Sequence, residues 1–411
     1  MLTRRQLLGI LPAAAIWSRL DAQVHIFHKP KKAPPPLPLV YFGTDTTRTA
    51  AKGIYLSRFD PNTGHFTSPT LAAPCIRPAY LAVNEVAGRN KPEQLGRHLL
   101  YAVNEGDAKT STVSTYQMDP ASGALSFLSQ VPSGGEGPCY IAVEAGGRSA
   151  YVANFAGGTV ASYAVLKDGT LSQPVDRLDF RDAAVFGHHG PNKARQDGPH
   201  PHSTMLSPDN RFILVNDLGN DDIAIFPIDP KTAHLGKPHL FQNIPAGSGP
   251  RHLAFHPNGR WAYGIDEITS RIDQYLYTDM HAVAGVEAQA LLSAVGHSVS
   301  TIDASFRGVN TAAEILVTPT GDFVYASNRG EDSLVVFAID ETSGNLTFVQ
   351  RIACGGKTPR HFALDHSSKW IVCGNQDSAS VTVFARNLGT GKLSGPVQTL
   401  ALESPMFSLF V

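Results

Sequence analysis

The sequence predicts an all-β protein, a seven-bladed β-propeller, from three observations. First, a proline-led apolar run recurs six times along the chain, beginning at Pro78, Pro138, Pro201, Pro250, Pro359 and Pro405. A seventh copy, at residues 312–317, lacks the proline, and the seven starts lie 46 to 63 residues apart. Second, a polar Asn or Asp keeps step with these runs. Third, each repeat contains a turn rich in Asp, Asn and Gly. Four short strands per repeat at this spacing are typical of propeller blades.

Each proline-led run is predicted to be the inner strand of a blade. The phased polar residue lies sixteen positions after the start of the run, at Asn154, Asp217, Asp266, Asn328 and Asn375. An insertion in the first blade delays its equivalent to Asn104. Because these residues recur in nearly every blade, we interpret them as hydrogen-bonding groups at strand ends rather than catalytic groups. Asn375 and its neighbour Gln376 are expected to stabilise their blade.

The turns and the chain ends complete the ring. Turns such as 60–64, 119–123 and 340–344 contain the residues that tolerate the positive φ of tight hairpins. The last inner strand, which starts at Pro405, ends with the sequence. Its partner strands are therefore expected from residues 39–44 and 53–59. Such a closure pairs sheet edges that would otherwise stay open.

Composition excludes several functional classes. The 411 residues are 42% hydrophobic and 17% charged, with a formal net charge of −1. This balance offers no basic face for nucleic acid, and beyond the N-terminus no apolar stretch is long enough to span a membrane. The four cysteines show no close metal-ligand spacing, and we expect free thiols rather than disulfides.

The N-terminus differs from the rest of the chain. Arg4 and Arg5 precede a short apolar stretch, residues 10–17, which predicts a twin-arginine export signal over residues 1–22. A disordered leader is the alternative. Residues 23–38 form a Pro- and Lys-rich linker, and residues 39–411 form the propeller domain. We therefore expect a periplasmic or secreted protein that engages the twin-arginine (Tat) export machinery. The cleavage site, and whether the segment is cut or retained, are open.

Inner strands of a propeller line a central channel, so the residue after each leading position is expected to face a shared funnel. These residues are, in blade order, Ala79, Cys139, His202, Arg251, Ala313, Arg360 and Met406. The residues after the phased Asn or Asp form a second ring: Glu105, Phe155, Leu218, Glu267, Arg329 and Gln376. Together the rings predict that Glu267, Arg251, Arg329 and His202 converge on one cavity. In the alternative interpretation these charges only pair with each other and lock the blades together.

Two longer segments interrupt the repeat. Residues 176–200 include His188, His189 and Arg195 and lead into His200 and His202. We expect this segment to cover the pocket; metal binding by its histidines is the alternative, and neither a metal nor a cofactor is expected. Arg360, His200 and Arg195 are assigned to substrate binding. The second segment, residues 280–310, is rich in Ala, Val and Ser and is interpreted as a possible helix.

The chain resembles the propeller lactonase family, which includes 6-phosphogluconolactonases and fungal carboxymuconate cyclases. The motifs that carry the resemblance are Gly198-Pro199-His200-Pro201-His202-Ser203, Asn216-Asp217-Leu218-Gly219, Gly249-Pro250-Arg251-His252, Asp266-Glu267, Tyr325-Ala326-Ser327-Asn328-Arg329-Gly330 and Thr358-Pro359-Arg360. The resemblance spans residues 40–411 and implies a seven-bladed propeller. It also implies an active-site group of one histidine, two arginines and one glutamate, at His202, Arg251, Arg329 and Glu267.

These observations predict an exported hydrolase that opens a sugar-acid or other carboxylated, anionic lactone. Glu267 would activate water or relay a proton with His202 as its partner, while Arg251 and Arg329 anchor the anionic group and stabilise the oxyanion. Two alternatives stay open: a muconate cyclase that forms the lactone, and a non-catalytic propeller that binds a ligand or a protein. The sequence leaves the identity of the lactone, a metal requirement and the assembly state undetermined.

Overall fold

The computed structural model describes residues 36–85, 98–182, 186, 189–241, 244–280 and 289–411. The chain divides into two units, Met1–Pro36 and Leu37–Val411. The predicted signal segment, residues 1–22, and nearly all of the predicted linker lie outside the described residues. In the described part, no helix is both long and apolar enough to cross a bilayer.

The strands follow one another in antiparallel sheets. The N-terminal strands are β1 (Leu39–Thr44), β2 (Gly53–Asp60), β3 (His65–Phe66) and β4 (Thr70–Pro74). Blade 1 contains β5 (Pro78–Glu85), β6 (His98–Asn104), β7 (Thr112–Met118) and β8 (Leu125–Pro132). Blade 2 contains β9 (Pro138–Val143), β10 (Ser149–Asn154), β11 (Thr159–Ala164) and β12 (Arg177–Asp179). Blade 3 contains β13 (Pro201–Leu206), β14 (Phe212–Asp217), β15 (Asp222–Asp229), β16 (His234–Leu235) and β17 (His239–Phe241).

The later blades repeat the pattern. Blade 4 contains β18 (Pro250–Phe255), β19 (Trp261–Asp266), β20 (Arg271–Met280) and β21 (Gln289–Ser300). Blade 5 contains β22 (Thr311–Val317), β23 (Phe323–Arg329), β24 (Ser333–Ile339) and β25 (Leu346–Ala353). Blade 6 contains β26 (Pro359–Leu364), β27 (Trp370–Asn375), β28 (Ser380–Arg386) and β29 (Leu393–Ala401), with a 3₁₀ turn at Gln376–Ser378. The final strand is β30 (Pro405–Phe410).

The sheet order confirms the predicted seven-bladed propeller. Each of the seven sheets begins with one of the predicted inner strands. Blade 7 joins the two chain ends, because β30 pairs with β1 and β1 pairs with β2. The phased polar residues end the second strands; for example, Pro250 lies opposite Asp266 and Pro78 lies opposite the delayed Asn104.

The apolar core lies between the blades rather than in one central mass. An apolar cluster fills the space between each pair of neighbouring blades. A recurring hydrogen bond supplements this packing: a buried tyrosine on one blade donates to the turn glycine of the next, as Tyr101 does to Gly169 O at 2.7 Å and Tyr263 to Gly344 O at 2.7 Å. Adjacent blades are thereby held in a fixed angular relation, which positions the groups that face the axis.

The side-chain amides of the phased asparagines form hydrogen bonds at the ends of strands. The Asn154 amide donates to Ser133 O at 2.9 Å and to Thr159 Oγ1 at 3.1 Å. The Asn328 amide donates to Thr301 O at 2.9 Å and to Ser333 at 3.1 Å. These contacts support the interpretation that the phased residues are structural.

The helix suggested for residues 280–310 is wrong in its described part. Gln289–Ser300 is a twelve-residue strand that pairs with β20 along most of its length. The alanines favour a helix, but the extended edge of β20 offers a ladder of backbone partners, and this tertiary pairing outweighs the local preference. All four cysteines are free, and three of them are buried.

Candidate active site

A cavity of about 300 Å³ lies where the inner strands begin, and we call it the cup. Residues from both predicted rings and from neighbouring loops line it: Arg48, Arg77, Glu105, Cys139, Phe155, Arg195, His202, Glu267, Thr311, Arg329 and Arg360. Leu218 and Gln376 of the second predicted ring do not line it, and neither do Ala79, Arg251, Ala313 and Met406 of the first. The blades therefore bring together charged groups that are far apart in the sequence.

Glu267 is the centre of one wall of the cup. Its Oε1 accepts hydrogen bonds from Arg195, with Nε at 2.9 Å and a second, shorter contact from NH2. Its Oε2 accepts from Arg329 NH2 at 2.7 Å and from Arg251 Nε at 3.2 Å. Three guanidinium groups thus share one carboxylate whose side chain is only 2% exposed. The predicted group of Glu267, Arg251 and Arg329 is in direct contact.

The protonation state of Glu267 follows from these neighbours. Burial by itself would raise the pKa of Glu267, but the charges of Arg329, Arg195 and Arg251 outweigh it and lower the pKa to about 2. Glu267 is therefore ionised at neutral pH, and both of its oxygens are occupied. This arrangement favours an anchoring role for the carboxylate over proton abstraction.

Arg251 lies beneath the cup with a side chain that is 2% exposed. Besides Glu267, it donates from NH1 to the carbonyl of Ala313 and approaches His252 Nε2 at 3.4 Å. Burial, and next the charge of Arg329, lower the pKa of Arg251 to about 9, so the guanidinium remains charged at neutral pH. Its NH2 group has no protein partner among the described residues.

His202 reaches the same cavity from blade 3. Its ring packs edge-on against Phe155 at 5.4 Å and against His252 at 5.1 Å between centroids. Burial, followed by the charge of Arg251, lowers the pKa of His202 well below its ordinary value. The imidazole is therefore neutral at physiological pH and keeps a lone pair that can accept a proton. Cys139 beside it is no nucleophile, because burial raises the pKa of its thiol to about 12.

A second wall of the cup contains Arg360, Arg77 and Arg48. Arg77 is held by Asp45 at 3.2 Å and by Glu105 at 3.2 Å, whereas the more exposed Arg48 approaches Asp45 only to 3.6 Å. Arg360 is half-buried and has no hydrogen bond or ion pair with any described residue. A half-buried guanidinium without a partner is costly, so this side chain is a candidate for binding an anion.

The segment before β13 contributes one of its two predicted substrate-binding residues. Arg195 lines the cup through its bonds to Glu267. His200 does not line it: its ring stacks on Phe155 at 4.3 Å and contacts Asp197 at 3.0 Å. Both ring nitrogens of His200 are engaged outside the cup, because Nδ1 contacts the Phe155 carbonyl oxygen at 2.9 Å and Nε2 contacts Asp197.

The histidines of this segment do not converge on a metal site. His189 contacts Asn220 at 3.2 Å, His200 faces Asp197, and His188 lies outside the described residues. Within the described ranges, no group of three or more His, Cys, Asp or Glu side chains is arranged to hold a metal ion.

Sequence reasoning missed two parts of the site. Arg48 and Arg77 both precede the first repeat, so the phase of the repeat does not predict them. Arg77 is the residue directly before an inner strand. The backbone at this position has a positive φ in five blades, at Arg77, Gly137, Gly249, Thr358 and Ser404. The predicted funnel includes only the second residue of each inner strand and leaves out the third. The third position forms a ring below the cup, with His252, Glu314 and His361 in consecutive blades. The spacing of the repeats alone is sufficient to predict this ring.

Comparison with known proteins places the chain in a family. Residues 39–410 match the family model described as lactonase, 7-bladed beta-propeller. The chain belongs to this family of propeller lactonases. It is thus a lactonase, a carboxylic ester hydrolase. A relative named 6-phosphogluconolactonase from Bacillus subtilis is 30% identical over 371 residues, which cover 90% of this chain and 97% of the relative.

Solved structures agree with this assignment of the lactonase. A structure from Bacteroides fragilis has a TM-score of 0.80 at 28% identity and covers 92% of this chain and 99% of its own. The periplasmic gluconolactonase of Pseudomonas aeruginosa has a TM-score of 0.76 at 30% identity, with coverage of 91% and 99%. The cup therefore lies in a propeller whose relatives include named lactonases.

Proposed function

We propose that this lactonase opens the lactone of a sugar acid and that its substrate or product is held as an anion in the cup. The observation that carries the proposal is the charge of the cavity, which is lined by five arginines and only two glutamates. A volume of about 300 Å³ is sufficient for a single sugar ring. Relatives named 6-phosphogluconolactonase and gluconolactonase support a sugar-acid substrate.

The arginines provide the electrostatic part of the reaction. Arg251 and Arg329 are fixed by Glu267 before substrate arrives, so their N–H groups need no reorganisation when negative charge develops. In the proposed reaction the lactone carbonyl oxygen lies against these guanidinium groups. The same groups then hold the carboxylate of the opened product, which bidentate arginine recognition suits.

His202 provides the proton transfer. The neutral imidazole accepts a proton from water as the water oxygen bonds to the carbonyl carbon. The ring carbon–oxygen bond then breaks, and the imidazolium returns the proton to the departing ring oxygen. Glu267 keeps the arginines in place and remains ionised throughout. This division of roles replaces the expectation that Glu267 activates the water, because its oxygens are already bonded to Arg195, Arg251 and Arg329.

A rate assay on the purified chain tests the proposal. Hydrolysis of glucono-1,5-lactone, 6-phosphogluconolactone and muconolactone would be followed by proton release, with and without a chelator. We expect a sugar lactone to be opened, and His202→Gln to lower kcat by about 10²–10⁴-fold. His234→Gln is the matched control, because that histidine is 62% exposed on the outer strand β16. Equal rates for His202→Gln and the parent would contradict the role of His202.

The localisation is part of the same proposal. Arg4 and Arg5 before an apolar stretch support export by the twin-arginine machinery, and a structural relative is described as periplasmic. Replacement of both arginines by lysine is expected to retain the protein in the cytoplasm in a cell-fractionation experiment. Unchanged export of this variant would contradict the twin-arginine route.

A further inference from the structure

Below the cup lies a ring formed by the third residue of each inner strand. In four blades this residue is uncharged and packs or hydrogen-bonds with its neighbours: Tyr80, Tyr140, Ser203 and Phe407. In three consecutive blades it is instead ionisable, namely His252, Glu314 and His361. A channel plug does not require a carboxylate, and a buried carboxylate is expensive unless it is paired. The location of Glu314 therefore needs another explanation.

Glu314 is hydrogen-bonded to the histidine on one side and lies close to the histidine on the other. Its Oε1 accepts from His252 Nδ1 at 3.0 Å, and its Oε2 lies 3.6 Å from His361 Nε2. Burial opposes the ionisation of Glu314, but His252, His361 and Arg251 outweigh it and lower its pKa to about 2. Burial in turn lowers the pKa of His252 and lowers that of His361 to about 4. At neutral pH Glu314 is thus ionised, and its Oε1 accepts from the Ile315 N–H at 3.0 Å as well as from His252 Nδ1.

The hydrogen bonds fix the tautomer of His252. Because an ionised Glu314 can only accept, His252 carries its proton on Nδ1 and presents a lone pair on Nε2. This Nε2 lies 3.4 Å from Arg251 NH1. On its other side, Arg251 donates from Nε to Glu267 at 3.2 Å. A continuous chain therefore runs from Glu314 through His252 and Arg251 to Glu267.

We propose that Glu314 is a positioning residue, which acts through His252 to hold the Arg251 guanidinium in the orientation that binds substrate. With Nε and NH1 bonded to protein, NH2 is the group of Arg251 that remains for the ligand. The inference rests on the role given to Arg251 under the proposed function. Outer groups that orient a binding residue commonly affect activity by about 10- to 100-fold.

Kinetics of Glu314→Gln test the proposal. This change keeps the shape of the side chain and removes its charge, and we expect kcat/KM to fall by about 10- to 100-fold. Glu144→Gln is the matched control, because Glu144 is also buried and ion-paired, with Arg148, but lies in the turn between β9 and β10. Equal losses in the two variants would show a general effect on folding and would overturn the positioning role.

The pH profile adds a readout that a purely structural residue would not move. The ionisable groups near Arg251 are Glu267, Glu314, Arg329, Arg360, His202, His252, His361, Cys139 and Tyr80. Removal of the Glu314 charge makes deprotonation of Arg251 easier, so the alkaline limb of kcat/KM is expected to move to lower pH in Glu314→Gln. An alkaline limb at the parental pH would contradict the proposal.

A double-mutant cycle separates this inference from the proposed function. In an Arg251→Lys background, Glu314→Gln is expected to cost less than about twofold further. If Arg251→Lys is as active as the parent, the role of Arg251 itself is wrong. If Arg251→Lys loses activity and Glu314→Gln lowers kcat/KM in that background by the same factor as in the parent, only the positioning role is contradicted. His252→Gln provides a second entry to the cycle if Glu314→Gln does not fold, with the same non-additive loss expected.

Discussion

The two walls of the cup differ in whether all of their arginine side chains have partners in the protein. Around Glu267, three guanidinium groups are bonded to one carboxylate, and every group is fixed before a ligand arrives. On the other wall, Arg77 is paired with Asp45 and Glu105, but Arg360 has no hydrogen bond or ion pair among the described residues. The first wall resembles a preorganised transition-state site, whereas the second offers a charge that only a ligand can satisfy. The difference teaches that the first wall couples binding to stability, whereas Arg360 is available for binding without a role in stability.

Among variants of the two walls, the largest effect is expected from Glu267→Gln, which breaks the organisation of the first wall. We expect kcat/KM to fall by about 10²–10³-fold and the free energy of unfolding to fall by about 3–5 kcal/mol, since three buried or half-buried cations lose their shared partner. Lactone hydrolysis and chemical denaturation measure the two effects. A variant with parental rates would remove the basis for the anchoring role.

The second prediction contrasts the two walls directly through Arg360→Gln and Arg329→Gln. Both are expected to lower kcat/KM by about 10- to 100-fold, the value of a lost charge-assisted hydrogen bond. Only Arg329→Gln is expected to lower the unfolding temperature, because Arg360 has no protein partner to lose. Thermal unfolding of the two variants decides the matter, and a clear loss of stability in Arg360→Gln would contradict the comparison.

The third prediction concerns pH. The folded-state pKa of Glu267, about 2, lies below the value of an unfolded glutamate. Its contribution to stability is thus present above that unfolded value and is lost as pH falls towards 2. The difference in unfolding free energy between the parent and Glu267→Gln should shrink between pH 5 and about pH 2. Denaturation at several pH values measures it, and a constant difference would oppose the assigned ionisation.

The smallest effect is expected where two acidic groups face each other without a cation. Asp217 and Asp222 are opposed in blade 3, at the place where other blades pair Asn154 with Thr159 or Asn328 with Ser333. Burial, then the charge of Asp217, raises the pKa of Asp222 to about 9.

An acid with a raised pKa loses its contribution to stability as pH rises through that value. The parent should therefore become less stable as pH rises from about 4 to about 9, whereas Asp222→Thr should not. The Tm of the variant relative to that of the parent is expected to rise over this range, by about 2 °C or more at the upper end. Thermal scans across this range measure it, and a gain that does not grow with pH would contradict the protonated state.

The fold was predictable because its signals repeat. Seven phased inner strands and their turns determined the blade count, and the position of the strand starting at Pro405 predicted the closure by residues 39–44. The helix suggested for residues 280–310 was wrong because alanine content reflects only a local conformational preference. The pairing with β20 depends on the unusual length of that strand, which the repeat pattern does not predict.

The site was predictable where its residues share the phase of the repeat, as Arg251, Arg329, Arg360 and Glu267 do. Contacts between blades were not predictable in detail. Nothing in the sequence shows that Arg195 reaches Glu267 across 72 positions, or that His200 turns to Phe155 instead of the cavity. Such choices depend on loop paths, and loops lack the periodicity that orients strands.

The most direct test of the central claim is a crystal structure of the protein with gluconate, the product of glucono-1,5-lactone opening. The account predicts the gluconate carboxylate in the cup, in hydrogen-bond contact with Arg251 or Arg329 and close to His202. Gluconate bound elsewhere on a catalytically active protein, with the guanidinium groups around Glu267 untouched, would contradict it.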